Sequence, residues 1–72
     1  MTVQEAFARN LSMCLAERHL SAYQLEAESG ITQTTIYSYT NSNNRTPNLH
    51  SAYKIAKALG VTIDSLLEGC DE

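Results

Sequence analysis

The stretch from Ser21 to Thr32 constrains this chain more than any other. Ser21-x-x-Gln24 is a capping box, in which two side chains satisfy orphan amides at a helix start. That helix runs through Leu25 and is expected to end near Ser29. Gly30 supplies the left-handed exit that a side chain resists. Ile31 then turns inward, and Thr32 is positioned to cap a further helix reaching Tyr39 or Thr40. Two short helices joined by so few residues cannot lie antiparallel. They must cross steeply, and the second must protrude from the body of the protein.

The rest of the chain also reads as helix. Thr2-x-x-Glu5 is another capping box, followed by Val3, Phe7, Leu11, Cys14 and Leu15 on one helical face, predicting a first helix that ends at Glu17 or Arg18. Asn41 to Pro47 is a polar loop with a proline stop. Asn48 caps the next helix, whose expected inward face is Leu49, Ala52, Tyr53, Ala56 and Leu59, with Ile55 flanking. Gly60 ends it. Thr62 caps a short last helix carrying Ile63, Leu66 and Leu67 before Gly69. Nothing alternates with period two, so the expected class is all-α, a compact bundle of five short helices. The 72 residues suffice for one domain, expected over 1–68 with a short acidic tail at 69–72. No apolar run reaches membrane-span length, and no basic-then-apolar leader opens the chain, so it reads as soluble and cytoplasmic. Cys14 and Cys70 are expected to be reduced thiols, Cys14 as a small core residue.

The net charge of −3 is unevenly spread. Residues 1–28 carry a balance of −2 and residues 64–72 one of −4, whereas residues 29–63 hold Arg45, Lys54 and Lys57 and no acid. Local fields, more than the total, set what a surface binds. Within that basic middle lies the uncharged stretch Gly30 to Thr40, rich in hydroxyls. Its inward residues are expected to be Ile31, Ile36 and Tyr39, and its outward ones Gln33, Thr34, Tyr37 and Ser38. A protruding helix with neutral donors and acceptors suits the DNA major groove, where each base pair shows a distinct hydrogen-bond pattern. The same groups would equally solvate an exposed helix.

Residues Leu20 to Leu67 resemble the Xre/Cro (lambda-repressor-like) helix-turn-helix family of bacterial and phage transcription regulators. The resemblance is carried by Leu20-Ser21, Leu25, Ser29-Gly30-Ile31-Thr32, Thr35-Ile36-Tyr37, Tyr39, Pro47, Leu49, the run from Ile55 to Val61, and Leu66. It implies a helix-turn-helix formed by the second and third helices and a double-stranded DNA operator as partner. It implies base reading by Thr32, Gln33, Thr34, Tyr37 and Ser38. Phosphate contacts are expected from Ala22, Tyr23, Asn41, Asn43, Asn44, Arg45 and Lys54, with Ala22 offering its backbone N–H at a helix start. A homodimer is expected, with Ile63, Leu66 and Leu67 as candidate contacts unless they are core. No sensor domain is expected, so control is expected from abundance, operator competition or a regulatory protein partner.

The sequence departs from the family pattern in three places. Ala22 stands where a phosphate-contacting Gln is usual, so that contact is expected from Tyr23 or Gln24, or is absent. Glu26 replaces a small residue where the two helices approach, so its carboxylate is expected to reach outward or widen the crossing, and to repel phosphate. The loop from Tyr39 to Pro47 is slightly longer than usual. With few cations, non-specific DNA binding is expected to be weak.

Other chemistry finds little support. His19 and His50 lie far apart with no third ligand marked out, and no metal site or cofactor is expected. No nucleophile–base spacing and no phosphate-binding glycine loop is present, so the chain reads as no enzyme. Tyr39 and Tyr53 are expected in the core. The rival reading is a protein-interaction module on the same fold, binding another regulator or a toxin; the acidic ends, Ala22 and Glu26 favour it. A metal or redox sensor built on Cys14, His19 and Cys70 is the remaining alternative.

Overall fold

Each helix starts on a side-chain oxygen that the sequence supplies. The computed structural model describes residues 1–41 and 46–71, within which lie α1 (Val3–Arg18), α2 (Ala22–Ser29), α3 (Gln33–Thr40), α4 (Leu49–Leu59) and α5 (Ile63–Leu66). Thr2, Ser21, Thr32, Asn48 and Thr62 occupy the five N-caps, each accepting a hydrogen bond from a backbone N–H in the first turn. The capping boxes at Thr2/Glu5 and Ser21/Gln24 are both closed. No strand occurs among the described residues, and no helix there is long and apolar enough to cross a membrane.

Three helices end in a left-handed residue. Gly30 and Gly60 leave α2 and α4 in left-handed conformation, at φ 79° and 71°. His19 closes α1 in that conformation too, at φ 55°, its N–H bonded to the carbonyls of Ala16 and Leu15. A histidine there carries the Cβ strain that a glycine would avoid.

The core gathers one stripe from each helix: Phe7 and Leu11, Ala22 and Leu25, Ile36 and Tyr39, Ala52, Ile55, Ala56 and Leu59 on α4, and Leu66. α1 packs on α3 and α5, α2 on α3 and α4, and α4 on α5. The rings of Phe7 and Tyr39 meet edge to face, 6.0 Å between centroids, and lock α3 to α1.

Three residues expected inside lie outside. Leu49 is 77% exposed, Tyr53 55% and Val3 37%. Val3 and Leu49 are the first residues of their helices, so they overhang the end of the core. The buried stripe of α4 runs through Ala52, Ile55, Ala56 and Leu59, at the helical spacings of three and four. Ile55, expected at the flank, is its fully buried centre. Tyr53 falls one step around the helix, in solvent, with the Lys57 ammonium 5.9 Å from its ring centre.

Residues Gly69 to Asp71 fold back on α1. The Arg9 guanidinium donates to the Glu68 carbonyl at 2.9 Å, and the Asn10 amide donates to the carbonyls of Leu66 and Glu68 at the same distance. The Met1 amino group pairs with the Asp71 carboxylate.

Candidate nucleic-acid interface

The turn between α2 and α3 is built by three side chains that each close a backbone amide. Ser29 is buried; its hydroxyl donates to the Leu25 carbonyl at 2.7 Å and accepts from the Ile31 N–H at 3.1 Å. Both capacities of the hydroxyl are used inside the turn, which fixes the chain as it leaves Gly30. Thr32 accepts from the Thr35 N–H and donates to the Thr35 hydroxyl at 2.9 Å. Glu26, near the middle of α2, reaches across and accepts the Gln33 N–H at 2.7 Å. The carboxylate expected to point away therefore caps the neighbouring helix, where the partial positive charge of its first turn favours an anion.

These ties leave α3 with a sorted outer face. Gln33, Thr34 and Tyr37 are exposed, and the Gln33 and Thr34 side chains make no hydrogen bond with the described residues. Ser38 is half-buried, its hydroxyl donating to the Thr35 carbonyl at 2.7 Å; the Thr40 hydroxyl donates to Tyr37 at 2.9 Å. Thr32, named as a base reader, is held by the cap. Ile36 and Tyr39 are buried as expected, and Ile31 is half-buried against the core.

The flanks divide. Ala22 is buried, backbone included, at the start of α2 beside the exposed Tyr23. Ser21, Ala22, Tyr37 and Thr40 line one groove, which places the start of α2 and the outer edge of α3 on a common side. Lys54 is half-buried, its Nζ 4.0 Å from where a Cβ on Gly30 would stand, so it brings a cation to the helix–helix turn. Lys54 and Lys57 line one groove with Tyr53, Glu28 and Ser29, and Lys57 also borders a second with Val61, Ile63 and Asp64. Asn41 ends α3 and is exposed. Asn43, Asn44 and Arg45 lie outside the described residues, as does Glu72.

Of the three candidate dimer contacts, Leu66 is 2% exposed and belongs to the core; it fills the space between α1 and α4, so it presents no surface. Ile63 and Leu67 are half-buried. Cys14 is half-buried against the core and His19 is exposed. Among the described residues no three of His, Cys, Asp and Glu are placed to share a metal ion.

Two structural roles were missed in the sequence. Ser29 carried a signal, a hydroxyl directly before the turn glycine, which favours a local side-chain-to-backbone bond. The reach of Glu26 to Gln33 had none, because it depends on the crossing of two helices.

A family model described as helix-turn-helix matches residues 11–66 of the chain. No curated protein and no solved structure matches it.

Proposed function

Since the chain belongs to the Xre/Cro-like helix-turn-helix family of DNA-binding regulators, we propose that it is a sequence-specific, repressor-like transcription regulator that reads the major groove of duplex DNA with α3. The observation that carries this reading is the uncommitted pair Gln33 and Thr34, exposed on a helix whose backbone is tied down at its start. Gln33 suits the paired donor and acceptor of adenine, and the Thr34 methyl suits thymine. Ser38 has given its proton to Thr35, so it meets a base as an acceptor, opposite adenine N6 or cytosine N4. Tyr37 lies on the same face and Thr32 holds the helix start. Tyr23, Lys54, Asn41 and the start of α2 at Ala22 are assigned to the flanking phosphates, as are Asn43, Asn44 and Arg45, which follow Asn41 in sequence. The regulator acts as a homodimer in the cytoplasm, with Ile63 and Leu67 at the edge of the contact.

Selection of bound duplexes from a random pool tests this. It is expected to return a palindromic site. Gln33→Ala should then relax one base position, costing about 1–3 kcal/mol of discrimination. Unchanged preference in that variant would show that another face reads the DNA.

A protein partner remains the second reading, favoured by Leu49 and Tyr23, large side chains left in solvent. The two part on salt: binding to random duplex falls steeply as salt rises, whereas a pure protein binder shifts no duplex at any salt.

A further inference from the structure

We propose that Glu26 is the positioning residue of the reading helix and that its charge discriminates against non-specific duplex, an inference that rests on the DNA-reading function above. The Gln33 N–H is the first amide of α3, a group that its own helix cannot satisfy. The Glu26 carboxylate takes it at 2.7 Å. The other ties of the turn are local: Ser29 holds Ile31, and Thr32 holds Thr35. Glu26 is the one that spans from the body of α2 to α3. It pins the backbone of the residue whose side chain is best placed to read a base, and so sets where that side chain begins.

The charge is a separate matter. Glu26 is exposed, and no Lys or Arg among the described residues pairs with it. The first turn of α3 offsets its charge only in part. A phosphate approaching the start of α3 therefore meets an anion. Non-specific binding is almost wholly phosphate electrostatics, so it is weakened most. Contacts to base edges are neutral and keep their strength.

Two variants of the full chain separate bond from charge. Glu26→Gln keeps an oxygen acceptor at the same reach and removes the charge. Glu26→Asp keeps the charge and is one methylene too short for the Gln33 N–H. Affinities are measured for the selected operator, for the operator altered at the base that Gln33→Ala identifies, and for random duplex. Glu26→Gln is expected to raise random-duplex affinity roughly two- to threefold, the effect of one charge at about 8–10 Å in water, with preference at that base kept. Glu26→Asp is expected to lower that preference about three- to tenfold, the worth of one hydrogen bond, with random-duplex affinity unchanged. Amide exchange at Gln33 in the free protein should quicken in Glu26→Asp and not in Glu26→Gln. A purely structural role would weaken all three duplexes together as stability falls. Full preference in Glu26→Asp, or unchanged random-duplex affinity in Glu26→Gln, would overturn the proposal. Wild-type protein that binds no duplex would overturn the function itself; selective wild-type binding with either result above would overturn only the role of Glu26.

Discussion

Single residues carry two departures from ideal local chemistry, and each has a measurable consequence. His19 holds a left-handed conformation with a Cβ, at φ 55°, and is exposed. His19→Gly removes that clash while its N–H continues to cap α1. The expected gain is about 0.5–1 kcal/mol after the extra chain entropy of glycine, or roughly 3–6 °C in Tm by thermal denaturation. Glu5 is the opposite case, a charge held by good geometry. The Thr2 backbone N–H donates to it at 2.9 Å, and with the Thr2 hydroxyl keeps its carboxyl below the usual glutamate range. A group whose folded pKa lies below its unfolded one stabilises the fold above the unfolded value and loses that contribution as pH falls through the folded value. Urea unfolding of wild type and Glu5→Gln is therefore expected to differ at neutral pH and to converge in acid. A constant difference across pH would show that the carboxylate contributes nothing specific.

At the scale of elements, the α2–α3 pair stands or falls on its turn. Ser29 is the internal strut: both bonds of its hydroxyl are buried or nearly so, and removing it leaves the Ile31 N–H without a partner. Ser29→Ala is expected to cost about 1–2 kcal/mol in chemical denaturation, because an unsatisfied buried donor loses its full desolvation energy. The same variant should blunt site preference more than its stability loss explains, since α3 then leaves Gly30 at a less fixed angle. α3 itself is only Gln33 to Thr40, too short to be stable alone. Its order comes from Ile36, Tyr39 and the edge contact with Phe7.

The backbone spans 32 × 22 × 22 Å, of the same order as the roughly 34 Å between half-sites one helical turn apart. Two copies side by side match that spacing, which is the physical case for the proposed dimer. The groove of Tyr53, Val61 and Ile63 is apolar and bordered by Lys57 and Asp64. Opposite charges on one patch are self-complementary about a two-fold axis, since each copy's lysine can face the other's aspartate. Tyr53→Glu, at an exposed position, is expected to leave thermal stability near wild type. It should shift the sedimenting species to monomer and weaken operator binding roughly tenfold or more by losing the linked second half-site. A wild-type protein that stays monomeric on its operator would end this assignment.

Much of this protein was legible one residue at a time. The five N-caps, the turn at Gly30 and the burial of Ile36 and Tyr39 follow from signals spanning four residues or fewer, because capping and helical periodicity are local physics. Tertiary structure decided which way a helix faced when two stripes were open to it. α4 turned Ile55 inward and left Leu49 and Tyr53 in water, since α2 and α5 each claim a side. It also brought Leu66 into the core and carried the Glu26 carboxylate across to Gln33. Those outcomes depend on the angle at which helices cross. That angle is set by the joint packing of the whole core, which no short window of sequence contains.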